Sequence, residues 1–211
     1  MENKIVINCA MSADGKIALP NRKQIRLSNQ EDLQRVNELR ENCDAILVGI
    51  GTVIEDNPNL TIKGNKDPSN NPVRVILDTK GRTPLDSHVL NNQAKTVVAV
   101  GNNCNTKKLG NAEIINCGDD LIDIQQLIDY LAKMGIKNIL VEGGETVLWS
   151  FLNENLFDEI NIFVASMIVG GEKTPTMAGG SGFATKLEAL KLNLETVGKL
   201  GDGVLLTYRK K

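Results

Sequence analysis

Residues 136–153, IKNILVEGGETVLWSFLN, constrain the fold more than any other stretch of this chain. An apolar strand (Ile139, Leu140, Val141) ends at Glu142. The pair Gly143-Gly144 follows, and a helix then starts, with Val147, Leu148, Trp149, Phe151 and Leu152 as its apolar residues. A strand that turns straight into a helix leaves several N–H groups unpaired at the helix N-terminus, at the positive end of its dipole. The glycines remove the side chains that would keep a phosphate from this backbone. Glu142 stands at the carboxyl end of the strand, where open α/β sheets bind ligands. Taken alone, the pattern also fits an ordinary tight turn.

The pattern recurs. Asp44-Ala45-Ile46-Leu47-Val48 reads as a buried strand that stops at Gly49-Ile50-Gly51, and Thr52-Val53-Ile54-Glu55 has the form of a capping box opening a short helix. Two such seats in one domain suit a ligand with more than one phosphate. A strand at 159–165 leads to a third glycine pair, Gly170-Gly171.

Residues 4–10 form a first strand that runs into Ser12-Ala13-Asp14-Gly15-Lys16, a turn that places Asp14 and Lys16 over a pocket, or is simply a turn. Ser28 and Glu31 form a capping box for a helix with Leu33, Val36 and Leu39 on its apolar stripe, ending near Asn42. Pro58 blocks continuation of the helix before it, and the polar loop through Asn71-Pro72 is the longest unstructured stretch, a flexible connection or a lid. Strands follow at 74–78, 95–100 and 113–116, and an amphipathic helix at 123–134 is closed by Gly135. Lys80 and Arg82, just past a strand end, are solvated cations or ligands of a monoester phosphate. Residues 173–185 are a glycine-rich, mobile loop, and 190–200 with 204–208 make a C-terminal hairpin. The sum is a single α/β domain, 1–211, with a mixed, mostly parallel sheet of about eight or nine strands flanked by helices on both faces.

Composition narrows the function. Apolar and charged contents of 41% and 24% are those of a folded soluble domain, and a net charge of −2 with few aromatic residues gives nucleic-acid binding no support. No apolar run approaches a membrane span and no signal core opens the chain, so a cytoplasmic protein is expected. Cys9, Cys43, Cys104 and Cys117 are far apart and His88 is the one imidazole, so reduced thiols and no metal site are expected, with Cys9 and Cys43 in or near the core. The expected ligand is a nucleotide or dinucleotide, although neither GxGxxG after the first strand nor GxxxxGK[ST] is present.

SADGKIA at 12–18, DAILVGIGTVIEDNPNLTI at 44–62, RVILDTKGR at 74–82, VEGGETV at 141–147 and the strand-to-glycine-pair stretch at 164–171 together resemble the reductases of riboflavin biosynthesis. The chain looks most like the stand-alone archaeal type acting on 2,5-diamino-6-ribosylamino-4(3H)-pyrimidinone 5′-phosphate, and is similar to the C-terminal half of the bacterial bifunctional deaminase-reductase. The likeness runs over nearly the whole chain, with the motifs in order. The deaminase's zinc pattern, H-x-E followed by P-C-x-x-C, is absent. The resemblance implies a dihydrofolate reductase-like fold, a homodimer, and reduction of the ring-opened ribosylamine at C1′ with NADPH, NADH being a further possible donor.

It also implies site residues. Positions matching Ala10, Arg26, Thr52, Asp56 and Thr79 bind the cofactor, with Gly143 and the run from Gly144 through Glu145, Thr146 and Val147 to Ser150. Positions matching Gln24, Arg40, Leu60, Lys63 and Glu142 contact substrate. Gln24 and Arg26 depart from the bacterial pattern, and Lys63 stands where many bacterial relatives have arginine, keeping the charge without the bidentate fork. Glu142 is assigned to the aminopyrimidine, and Lys16 with Asp14 beside it to ring opening or protonation of the imine nitrogen. Alternatives are a reductase of the deaminated 5-amino-6-ribosylaminouracil phosphate, a dihydrofolate reductase-like enzyme on another substrate, and a non-catalytic nucleotide-binding module. Lone reductases of this kind, archaeal and fungal, reduce before deamination.

Overall fold

The computed structural model describes residues 4–105 and 108–211. The chain divides into two compact units, one centred on residues 37–140 and the other formed by 5–36 with 141–211. In the first, β2 (Ala45–Gly49), β3 (Val73–Leu77), β4 (Thr96–Val100) and β5 (Glu113–Asn116) are parallel, in the order β5-β4-β3-β2. Every residue of β2 and β4 is buried, as continuous apolar runs require when both faces of a parallel strand are covered. Helix α2 (Ile50–Asp56) leaves β2 directly. Helix α3 (Ile124–Lys133) buries Ile124, Leu127, Ile128 and Leu131, and the Asp123 side chain caps it by accepting the Gln126 N–H at 2.8 Å.

In the second unit β1 (Lys4–Ser12) and β7 (Glu159–Ala165) are parallel, β9 (Gly203–Lys210) is antiparallel to β7, and β8 (Leu192–Leu200) is antiparallel to β9. The last two make the expected C-terminal hairpin, with a register shift between Leu194 and Thr196. Here β6 (Asn138–Gly143) ends and α4 (Glu145–Asn153) begins, with Val147, Leu148, Phe151 and Leu152 buried. Helix α1 (Gln30–Glu41) starts in this unit. The expected α/β class, mostly parallel strand pairing and flanking helices are all present.

Four local expectations need correction. Asn29, not Ser28, caps α1: its side-chain oxygen accepts the Asp32 N–H at 2.9 Å, while the Ser28 hydroxyl turns to the Asp32 carboxylate. The expected apolar stripe gives way to a polar anchor. Leu33 is 42% exposed, whereas Asp32 is fully buried because Arg35 donates to it at 2.7 Å and also to Asn8 of β1 at 2.7 Å. Helix α2 begins at Ile50 with Gly49 as its cap, so Thr52 lies inside the first turn and does not open it. The loop before β3 is not the longest irregular stretch: a 3₁₀ turn, Pro68–Asn70, braces it, and the connection from β7 to β8 is longer. All four cysteines are free; Cys9 and Cys117 are buried and Cys43 and Cys104 half-buried. Desolvation, reinforced by Asp32, pushes the Cys9 thiol up to about 12.

Candidate active site

In the first unit the expected residues gather at the carboxyl ends of β2 and β3. Gly49 and Leu77 are register partners, so the start of α2 and Thr79 leave the same edge. Thr52 and Asp56 stand four residues apart on one face of α2, both half-buried. Burial, and then Glu55, push the Asp56 carboxyl above its ordinary value. Gly51 is exposed, and a Cβ there would have nothing within 4 Å, so the backbone of this turn is open to approach.

Past α2 the chain is bent by Asn57 (φ 42°) and Leu60 (φ 50°), both in the left-handed region. Asn57 Oδ1 accepts the His88 N–H at 2.7 Å, and Leu60 is buried. Arg40, in the last turn of α1, donates to the Thr61 carbonyl at 3.1 Å, and the Lys63 N–H is held by Asn37 at 2.6 Å. The structure thus brings Arg40, Leu60 and Lys63 to one short segment, although they span two elements of sequence.

Thr79 follows β3, and its carbonyl accepts the Gly101 N–H at 3.0 Å. The turn after it hangs on Asp78, fully buried, whose Oδ2 accepts both the Thr83 N–H and hydroxyl at 2.7 Å. Arg82 lies 4.0 Å from the other oxygen, and both Lys80 and Arg82 are exposed. Sequence reasoning passed over Asp78; the signal was an acidic residue ending a buried strand with threonine five residues on.

In the second unit, Ala10 and Ser12 end β1, and the turn beyond them carries Asp14 and Lys16, both half-buried. Asp14 accepts the Ser12 hydroxyl at 2.6 Å, the Val169 N–H at 3.1 Å and the Gly170 N–H at 2.7 Å. These bonds, led by that from Ser12, hold its carboxyl down at about 2. Glu142 is half-buried at the end of β6. The Gly143–Gly144 peptide is cis, and Gly143 has φ +114°, a conformation side chains rarely adopt.

Helix α4 begins at Glu145 with Gly144 as its cap and no side chain capping it, an arrangement in which an anion can meet backbone N–H groups. Thr146 and Val147 share that turn, Thr146 exposed and Val147 buried. Around it, Arg22 pairs with Glu145 at 3.0 Å, the Gly179 N–H reaches the Glu145 carbonyl at 3.3 Å, and Trp149 packs on Phe183 with ring centroids 5.1 Å apart. Neither Arg22 nor this cover was read from the sequence. Gln24 and Arg26 are exposed on the segment before α1. Among the described residues no group of three or more His, Cys, Asp or Glu side chains is placed to hold a metal ion.

The family model described as "RibD C-terminal domain" matches residues 3–206. The 2,5-diamino-6-ribosylamino-4(3H)-pyrimidinone 5′-phosphate reductase of Methanothermobacter thermautotrophicus is 38% identical over 216 residues, with 100% of both chains covered. Among solved structures, a diaminohydroxyphosphoribosylaminopyrimidine deaminase/5-amino-6-(5-phosphoribosylamino)uracil reductase from Thermotoga maritima matches with TM-score 0.85 at 25% identity, covering 100% of this chain and 57% of that one. Dihydrofolate reductase from Enterococcus faecalis shares the fold alone, with TM-score 0.56 at 11% identity and 99% and 96% of the two chains covered. A family match that takes in the β1 turn, the α2 and β3 ends and the glycine-capped α4 together is more than a shared fold, and the chain belongs to the RibD C-terminal domain family.

Proposed function

We propose that this chain is an oxidoreductase of riboflavin biosynthesis that reduces the ribosylamino side chain of 2,5-diamino-6-ribosylamino-4(3H)-pyrimidinone 5′-phosphate to the ribitylamino form, with NADPH as donor. The observation that carries the reading is the end-to-end likeness to the Methanothermobacter reductase, 38% identical with both chains covered in full. The family model runs through both compact units, which supports reading 1–211 as one reductase domain.

A reduced nicotinamide, when bound, supplies the hydride that C1′ accepts. The protein's part is to hold the two reactants in register and keep water out. Toward the cofactor, Thr52, Asp56 and Thr79 are assigned in the first unit, and Ala10 with the N-terminal turn of α4 from Gly143 to Val147 in the second. Glu142 accepts hydrogen bonds from the aminopyrimidine, and Arg40 and Lys63 balance the ribose phosphate charge, with Leu60 and Gln24 completing the substrate contacts. Lys16 holds a proton for the imine nitrogen as the bond from C1′ becomes single. Preference for NADPH over NADH is assigned to Lys80 and Arg82; their exposure beyond β3 supports a contact with the additional phosphate.

The chain acts as a homodimer. Supporting this, β8 is exposed along nearly its whole length, and Leu194 and Val197, 55% and 61% exposed, share a sheet face with Tyr208 and Leu206 of β9. A cytoplasmic setting is supported by four free cysteines; among the described residues no helix is long and apolar enough to cross a membrane.

The test is NADPH oxidation with the diamino pyrimidinone phosphate and its deaminated counterpart offered separately. Turnover of the diamino compound alone is expected and places reduction before deamination. The Thermotoga protein's description favours the second reading, and turnover of only the uracil compound would reverse that order. Turnover of neither, with NADPH still bound, would overturn the reductase assignment.

A further inference from the structure

The turn bearing Lys16 is fixed through a short relay of hydrogen bonds. Ser12, fully buried, holds the backbone of Lys16 at both ends: the Lys16 N–H donates to the Ser12 hydroxyl oxygen at 2.9 Å, and the Ser12 N–H donates to the Lys16 carbonyl at 2.9 Å. A hydroxyl that accepts from Lys16 has one proton left to give, and it gives it to Asp14 at 2.6 Å. The direction of the Ser12 hydroxyl is therefore set by Asp14.

Asp14 is in turn fixed from a distant part of the chain. Val169 and Gly170 present consecutive N–H groups to its two oxygens, at 3.1 and 2.7 Å. Successive amides converge on one anion when the backbone passes into the left-handed region, and Gly170 does so at φ +75°. The same two segments are laced further: the Ala13 N–H donates to the Met167 carbonyl at 2.8 Å, the Ile17 N–H to the Pro175 carbonyl at 3.0 Å, and Lys16 forms a β-bridge with Thr176. These three donors to Asp14 are neutral, so the carboxylate acts as the anion that completes a backbone seat.

We propose that Asp14 is a positioning residue for the reduction, acting through Ser12 to fix the backbone of Lys16 and so the place from which its ammonium group meets the substrate. The inference rests on the reading above in which Lys16 serves the imine nitrogen. Asp14 itself transfers no proton: it accepts three hydrogen bonds and stays ionised.

A double-mutant cycle tests it, with wild type, Asp14→Asn, Lys16→Ala and the double variant assayed for kcat, KM and NADPH Kd on the pyrimidine that wild type reduces. Lys16→Ala is expected to lower kcat on the order of a hundred-fold, the range for a positioned proton donor. Asp14→Asn should lower kcat by about tenfold with NADPH Kd held within about twofold, because an amide cannot accept all three bonds. In the Lys16→Ala background the same change should cost less than about twofold, since residues that act as one unit are not additive. If Asp14→Asn does not fold, Ser12→Ala enters the same cycle, because it cuts the relay and leaves the bonds from Val169 and Gly170. A further tenfold loss in the double variant, or an unchanged kcat in Asp14→Asn, overturns the inference while an active wild type keeps the reductase reading. Lys16→Ala with wild-type kcat removes the lysine's role and this inference with it. A wild type inactive on both pyrimidines overturns the reductase reading as well.

Discussion

Two strand–glycine–helix turns that look alike in sequence are finished differently. At the end of β2 the chain enters α2, a helix of seven residues, and a Cβ at Gly51 in its first turn would meet open space. At the end of β6 it enters α4, nine residues long, and two other segments close on it. Arg22 pairs with Glu145, the Gly179 N–H bonds the Glu145 carbonyl, and Gly180 sits so close to Trp149 that any Cβ would overlap the indole. One turn is bare at Gly51, with Thr52 and Asp56 half-buried beside it; the other lies under a cover of loop. The same local motif therefore does not fix the same site, because what covers a turn comes from elsewhere in the chain.

Single substitutions separate the two turns. The largest effect is expected at the covered turn, where Glu142→Gln should cut kcat on the order of a hundred-fold while NADPH Kd changes little. An equal loss of both would remove its role toward the pyrimidine. Gly180→Ala should destabilise by about 1–3 kcal/mol, read as a lower denaturant midpoint, because the new methyl group meets Trp149 and the backbone is at φ +76°. A midpoint equal to wild type would mean that the loop is not packed on α4.

At the bare turn, Asp56→Asn should weaken NADPH binding about tenfold, ~1.4 kcal/mol, and an unchanged Kd measured by titration would count against the assignment. Gly51→Ala should do the opposite of Gly180→Ala in the free protein, raising stability by about 0.4–1 kcal/mol through lost freedom in the unfolded chain. The same variant should bind NADPH less well if the cofactor approaches that backbone, so unaltered affinity would show that side chains alone carry the α2 contact. Smallest of all, Arg22→Ala should cost a few tenths of a kcal/mol, since Arg22 is 63% exposed and solvent screens the pair. A larger shift in the thermal midpoint would mark the pair as a true latch on the cover.

Much of the fold was legible because its signals are local. Apolar runs such as Ile46-Leu47-Val48 and Val97-Val98-Ala99 have no polar alternation, which calls for strands covered on both faces, and α3 repeats its apolar residues at the helical period. The glycine-opened turns and the C-terminal hairpin follow from backbone freedom at named positions. The stripe of Leu33, Val36 and Leu39 in α1 is helical in period, yet the element is anchored through Asp32 and Arg35. Periodicity registers apolar residues and is blind to a charge whose partners are supplied by a neighbouring strand.

Residue types at short spacing were enough for the α/β class, the order of strands and helices, and the family. It took the folded chain to show that Asp14 is held by amides 155 and 156 residues away, that Arg40 and Lys63 meet at the same segment, and that a loop closes on α4. The physical reason is one of range. Propensity and turn chemistry act over a few residues, whereas hydrogen bonds and packing act on whatever the strand order brings within a few ångströms.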